Sequence, residues 1–167
     1  LKTKYKNLLT IIIPRHINRV NEIDEELKKL NLKTHFHEPK KNINKDTDIY
    51  IVNAYGKTKS FYNNSRNIFL GGSLINHGGQ NPLEAARYGC NILHGPNISN
   101  FKEIYEFLKG NKISEKINSE KEMINSLKKL FSKTNNSKKI QKKLNLIEKK
   151  ILDKTYNEID LLLKNEI

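Results

Sequence analysis

A short apolar run, Ile68-Phe69-Leu70, opens directly onto Gly71-Gly72-Ser73-Leu74. The chain then passes through His77-Gly78-Gly79-Gln80-Asn81-Pro82-Leu83-Glu84-Ala85-Ala86. This is the pattern of a strand, a glycine loop and a sharply defined helix start, and it restricts the chain to folds in which a strand hands over to a helix across a tight turn. Glycine lets backbone N–H groups approach a ligand with no side chain between them. Asn81 suits the N-cap, Pro82 the first helical position, where the missing N–H costs nothing, and Glu84 the third position of a capping box. A helix starting there aims its unpaired N–H groups and positive dipole end back at the loop, where an anion would be held.

The rest of the chain alternates in the same way. Strand patterns fall near residues 8–13, 33–36, 48–52, 67–70 and 91–93, and helical patterns near 18–30, 57–63, 82–88 and 100–109. In the first helix Val20, Ile23, Leu27 and Leu30 recur at three and four residues while Glu22, Glu25 and Lys28 face out. Strand–helix alternation with connections of this length predicts an α/β fold, a doubly wound parallel sheet with helices on both faces. In such folds ligands sit at the carboxyl ends of strands. Pro14-Arg15-His16, Tyr55-Gly56-Lys57, Gly71-Gly72-Ser73 and His94-Gly95-Pro96 each follow a predicted strand, so all four are expected on one rim. After Gly110 a short strand is expected at residues 112–113. A capping box at Ser119 and Glu122 then opens a helix reaching about Phe131, followed by a polar break at Thr134-Asn135-Asn136-Ser137. Residues 138–164 form a C-terminal helical segment, one long helix or two, with Ile140, Leu144, Ile147, Ile151 and Leu152 at helical spacing. That segment either packs on the domain's own sheet or docks back across a cleft on a half of the protein that is absent from this chain.

These motifs, in this order, carry a resemblance. Gly71-Gly72-Ser73-Leu74, Gly78-Gly79-Gln80-Asn81-Pro82-Leu83-Glu84, Gly95-Pro96-Asn97 with Asn100-Phe101, and Pro14-Arg15-His16 upstream are similar to the C-terminal half of the bacterial 3-deoxy-manno-octulosonic acid (Kdo) transferases. The resemblance spans roughly the first two thirds of the chain. It implies the Rossmann-like C-terminal half of a GT-B glycosyltransferase that moves Kdo from CMP-Kdo to a lipid A precursor in lipopolysaccharide biosynthesis, by an inverting displacement. On that reading residues 1–167 are a single donor-binding domain. The N-terminal acceptor domain with the catalytic base has no counterpart here, and this chain alone holds no catalytic residue and is inactive. The start at Leu1, without an initiator Met or signal peptide, fits a piece of a longer protein. The full-length enzyme is expected at the cytoplasmic face of the inner membrane, where the acceptor lipid lies, with this fragment soluble.

The resemblance also assigns a donor site to Pro14, Arg15, His16, Ala54, Tyr55, Gly56, Gly71, Gly72, Ser73, Asn81, Pro82, Leu83 and Glu84. Arg15 brings a fixed planar cation to the rim, suited to the phosphate and carboxylate of CMP-Kdo, and His16 donates to the same anion or orients the turn. Glu84 either closes the capping box or accepts from the ribose hydroxyls. Where the family usually has a Gly-Asp-Thr-Met-Gly-Glu-like turn contacting the cytidine, this chain has Ala54-Tyr55-Gly56, so base recognition falls to backbone groups and to Tyr55 or Lys57. Gln80 and Asn97-Ile98-Ser99 also depart from the usual His and His-Thr-Phe.

Composition leaves rivals standing. A net charge of +13 suits nucleic acid, an anionic membrane or an anionic ligand, but the lysines are scattered and accompanied by abundant Asn and Ile. No helix-turn-helix, RNA-recognition or zinc-finger pattern accompanies the charge, which leaves a nucleic-acid module behind the donor-binding reading and behind another GT-B enzyme, a UDP-sugar transferase or epimerase. Cys90 excludes an internal disulfide and reads as a buried reduced thiol. His35 and His37 share a strand face without the further ligands zinc needs, so no metal is expected, nor any cofactor. Nucleophile-elbow, Walker and Gly-x-Gly-x-x-Gly motifs are missing from the sequence.

Overall fold

β-branched residues recur in the first five strands, as Ile11, Thr34, Ile51, Ile68 and Ile92, where they fit a pleated, half-buried surface. The computed structural model describes residues 1, 4–134 and 136–165; of the expected polar break, Asn135 lies outside the described residues. Among these, six short strands pair, every pairing parallel. The chain divides into two compact units, Leu1–Phe61 and Tyr62–Ile167.

The first unit holds β1 (Thr10–Ile12), α1 (Val20–Lys29), β2 (Thr34–Phe36), β3 (Ile49–Ile51) and the start of α2 (Thr58–Asn64). Its sheet has the order β1-β3-β2, with Ile49, Tyr50, Ile51 and Val52 buried in the middle. The buried residue of α1 is not one of the apolar positions but Asp24. Its carboxylate accepts from Lys28 Nζ at 2.7 Å and from the Thr34 hydroxyl, tying α1 to β2. Burial works against its charge, but these two hydrogen bonds outweigh burial and hold the acid below its ordinary range. Leu30, expected on the inner face, is exposed, because α1 ends before it and Asn31 turns into the left-handed region. His35 stacks on Tyr50 at 5.7 Å, and His37 Nδ1 lies 2.7 Å from the Tyr50 hydroxyl, so both strand histidines are engaged with one aromatic residue.

The second unit holds β4 (Asn67–Leu70), α3 (Leu83–Arg87), β5 (Asn91–His94), α4 (Lys102–Gly110), β6 (Ser114–Lys116), α5 (Glu120–Phe131) and α6 (Ser137–Asn165), with sheet order β4-β5-β6. The last strand starts two residues later than expected because Lys112, at φ 60°, is spent on the turn out of α4. The parallel α/β alternation stands; the strands hydrogen-bond as two three-stranded sheets, and two of the four strand-end motifs lie at the carboxyl edge of each. The core of this unit gathers Ile92, Tyr105, Leu108, Ile140 and Leu144 around Cys90. Burial pushes the Cys90 thiol up to about 12, and its sulfur faces the carbonyls of Tyr62 and Ser65, which is the inert buried thiol expected. Ser119 caps α5 as expected, its Oγ accepting from Glu122 N at 3.2 Å, while the Glu122 carboxylate reaches past the cap to accept from the backbone N–H of Asn118 at 2.8 Å.

The segment after Ser137 is one helix. Its first turns pack on α3, burying Ile140 and Leu144, with Arg87 Nε donating to Glu148 at 2.8 Å. Gly89 makes that approach possible. At φ 77° it turns the chain out of α3, and a Cβ there would sit 2.5 Å from the Ser137 carbonyl oxygen. From Lys149 onward every described side chain of α6 is exposed, including Ile151 and Leu152, which the sequence pattern placed with the packed positions.

Candidate functional site

In the second unit the glycine loop is built against its neighbour. Leu70 ends β4 buried, and Gly72, at φ 71°, turns the chain. Ser73 is fully buried: its hydroxyl donates to the Leu70 carbonyl at 2.6 Å and accepts from Gly95 N at 2.8 Å, and its carbonyl accepts from Asn97 N at 2.9 Å. Ser73 therefore locks the loop after β4 to the loop after β5, and its side chain is committed to that task rather than turned to a ligand. Gly95 is glycine because a Cβ would lie 2.3 Å from the Ser73 carbonyl oxygen. Gly78 and Gly79, both at φ 76°, close the loop: Gly79 N donates to Gly72 O at 3.2 Å, and Asn100 N to Gly78 O at 3.2 Å.

Gly71 is different. A Cβ there would meet nothing within 4 Å, and neither Gly71 nor Gly72 donates its N–H to a protein acceptor among the described residues. Two successive backbone donors at the carboxyl edge of a parallel sheet are what an anion requires. The helix that follows adds less than expected, since α3 has five residues and carries little macrodipole. Its start is nonetheless firmly set: Asn81 Oδ1 accepts from Leu83 N at 2.9 Å, Pro82 is buried, and the Tyr105 hydroxyl donates to the Gln80 carbonyl at 2.9 Å. Glu84 lies exposed in the first turn.

His94, expected from the sequence only as part of the His94-Gly95-Pro96 motif that follows a strand, is instead the last residue of β5. It is 2% exposed, its Nδ1 lies 2.7 Å from the Gly95 carbonyl oxygen, and its ring centre is 4.3 Å from that of Tyr105. A ring nitrogen that close to a carbonyl carries the proton, so Nε2 bears the lone pair and is buried without a partner. Burial lowers the His94 pKa against the Gly95 hydrogen bond, and the charges of Lys116 and Lys109 lower it further, so the ring is neutral at neutral pH. No periodicity argument distinguishes such a histidine from an ordinary strand residue.

In the first unit Pro14, Arg15 and His16 follow β1, and Ala54, Tyr55 and Gly56 follow β3, its parallel neighbour, so these two loops share a carboxyl edge. Arg15 and His16 are exposed, and Arg15 has no carboxylate partner among the described residues. Tyr55 is 68% exposed beside Gly56, which turns at φ 72° with open space about it. An unneutralised guanidinium and a free aromatic face at the end of a parallel sheet are suited to a phosphate and to a stacking base.

No protein-family model matches the chain. Among curated proteins it is 34% identical over 108 residues to the 3-deoxy-D-manno-octulosonic acid transferase of Haemophilus influenzae, covering 65% of this chain and 25% of that protein. The Aquifex aeolicus transferase is 28% identical over 132 residues, covering 79% and 36%. That of Rickettsia prowazekii is 31% identical over 160 residues, covering 92% and 34%. The chain thus spans between a quarter and two fifths of the length of these curated relatives. Among solved structures, the C-terminal CMP-Kdo binding domain of WaaA from Acinetobacter baumannii superposes with a TM-score of 0.74 at 25% identity, over 84% of this chain and 75% of that one. In sequence and in fold, the chain is related to the C-terminal part of the Kdo transferases.

Proposed function

We propose that this chain is the donor-binding part of a Kdo transferase and holds the CMP moiety of CMP-Kdo on the loops at the carboxyl ends of its strands. The observation that carries the reading is the likeness to the CMP-Kdo binding domain of WaaA over most of the chain, together with the open backbone donors of Gly71 and Gly72. Arg15 pairs with the phosphate or the sugar carboxylate, Glu84 accepts from the ribose hydroxyls, and Tyr55 offers its face to cytosine in place of a polar turn. Asn81, Pro82, Leu83 and Ser73 act through shape, holding the loop and the helix start, while Pro14 and Ala54 set the exposed residues beside them and His16 supports Arg15.

The chemistry follows from donor binding. An acceptor hydroxyl attacks the anomeric carbon of Kdo, the bond from that carbon to the phosphate oxygen breaks, and CMP leaves with the bonding pair. Arg15 and the loop N–H groups stabilise the charge that develops on the departing phosphate. The base that takes the hydroxyl proton is assigned to the part of the longer relatives that this chain does not span, and so is the lipid A precursor site. Among the described residues no helix is long and apolar enough to cross a membrane; attachment to the cytoplasmic face of the inner membrane belongs to the full enzyme on this reading. The test is calorimetric titration of the chain with CMP and with CMP-Kdo. Arg15→Ala is expected to weaken binding roughly 10- to 100-fold, the weight of a hydrogen bond to a charged group, with the melting temperature unchanged. Equal affinity of the variant for both CMP and CMP-Kdo would remove Arg15 from the site.

A further inference from the structure

At the opposite, amino edge of the second sheet lies a cleft of about 280 Å³ between the starts of β5 and β6 and the C-terminal ends of α4 and α5. Lys109, Lys112, Lys129 and Lys133 line it. An adjoining recess adds Arg66 and shares Lys133, Asn91 and Asn136 with it. The one carboxylate on the wall, Glu115, accepts from the Ser126 hydroxyl at 2.7 Å. None of the five cations forms an ion pair among the described residues. Lysine at a helix C-terminus is favoured by the macrodipole, which explains Lys109 and Lys129 singly. It does not explain Lys112 and Arg66, which lie outside the helices, nor the near-absence of counter-charge on a concave surface. Clustered like charges with low-dielectric walls focus a field that draws in a multivalent anion.

We propose that this cleft is an anion site for a ligand carrying two or more linked phosphate groups, with the four lysines as point charges and Arg66 and the Asn136 amide as directional donors. It is independent of the donor reading, which uses the carboxyl edges. The phosphates belong either to a soluble molecule or to lipid headgroups, and the experiment separates the sources. The full 167-residue chain is titrated with tripolyphosphate, and sedimented with vesicles of phosphatidylcholine and cardiolipin, whose two phosphates are joined through glycerol. The double variant Lys112→Glu/Lys133→Glu is compared with Lys149→Glu/Lys150→Glu, which changes net charge equally on the exposed part of α6. The expected result is binding that falls at least tenfold in the first variant and less than twofold in the second, with both variants melting as the parent does. Dependence seen with tripolyphosphate assigns a soluble ligand; dependence seen with vesicles alone assigns a lipid. Equal loss in both variants, or no binding of either probe, would overturn the site.

Discussion

Gly95 and Ser73 carry the sharpest residue-scale claim: the two loops at the carboxyl edge of the second sheet are one object. Gly95→Ala places a methyl 2.3 Å from a backbone oxygen, which no side-chain rotation relieves, so the variant is expected to lose about 1–3 kcal/mol in chemical denaturation, the range for overpacking. Gly71→Ala, with open space around it, should cost far less. Equal costs would mean the loops are not locked. His94 makes a second claim. Its pKa is lowered in the folded chain by burial, so its contribution to stability is fully present above the ordinary histidine value of 6.5 and is lost as pH falls through the lowered folded value. Tyr105 faces the ring, and Lys109 and Lys116 act on it by charge, both disfavouring protonation. His94→Phe should therefore flatten the loss of melting temperature just below pH 6.5. An unchanged slope would show that the ring accommodates a proton.

At the scale of elements, α6 divides into a packed half and an exposed half. Cutting the chain after Glu148 removes no side chain that is buried among the described residues and keeps the Arg87–Glu148 pair, so the melting temperature is expected to hold within a few degrees. Leu144→Ala, within the packed half, should instead cost about 2–5 kcal/mol. A truncated chain as damaged as the Leu144 variant would contradict the division. The same helix shows why legibility varied along the chain. Ile140, Leu144, Ile147, Ile151 and Leu152 share a helical spacing, but spacing records what a helix could bury and not where its neighbour ends. Strands were legible because turn chemistry is local, and so was the Asn81 bond to Leu83 N, although α3 begins at Leu83 with Pro82 rather than Asn81 at its N-cap, one residue later than expected. The loss of Leu30 from the inner face, the burial of Asp24 and the shift of β6 past Lys112 were not, since each depends on a contact or a turn made elsewhere.

For the whole molecule, the order of motifs named the related proteins correctly, while the lock between Ser73 and Gly95 and the role of His94 needed coordinates. The resemblance placed Ser73 in the donor site; its buried hydroxyl joins the loops after β4 and β5. The net charge of +13 is likewise uninformative as a total and informative once placed, since Arg15 stands at one carboxyl edge and the lysine cleft at an amino edge. The most direct measurement of the central claim is an NMR titration of the labelled chain with CMP, read residue by residue. The account predicts saturable shifts in the amides of Gly71 and Gly72, around Asn81 to Glu84, and in the loops containing Arg15 and Tyr55. Shifts confined to the lysine cleft, with the glycine loop unmoved at saturation, would contradict it.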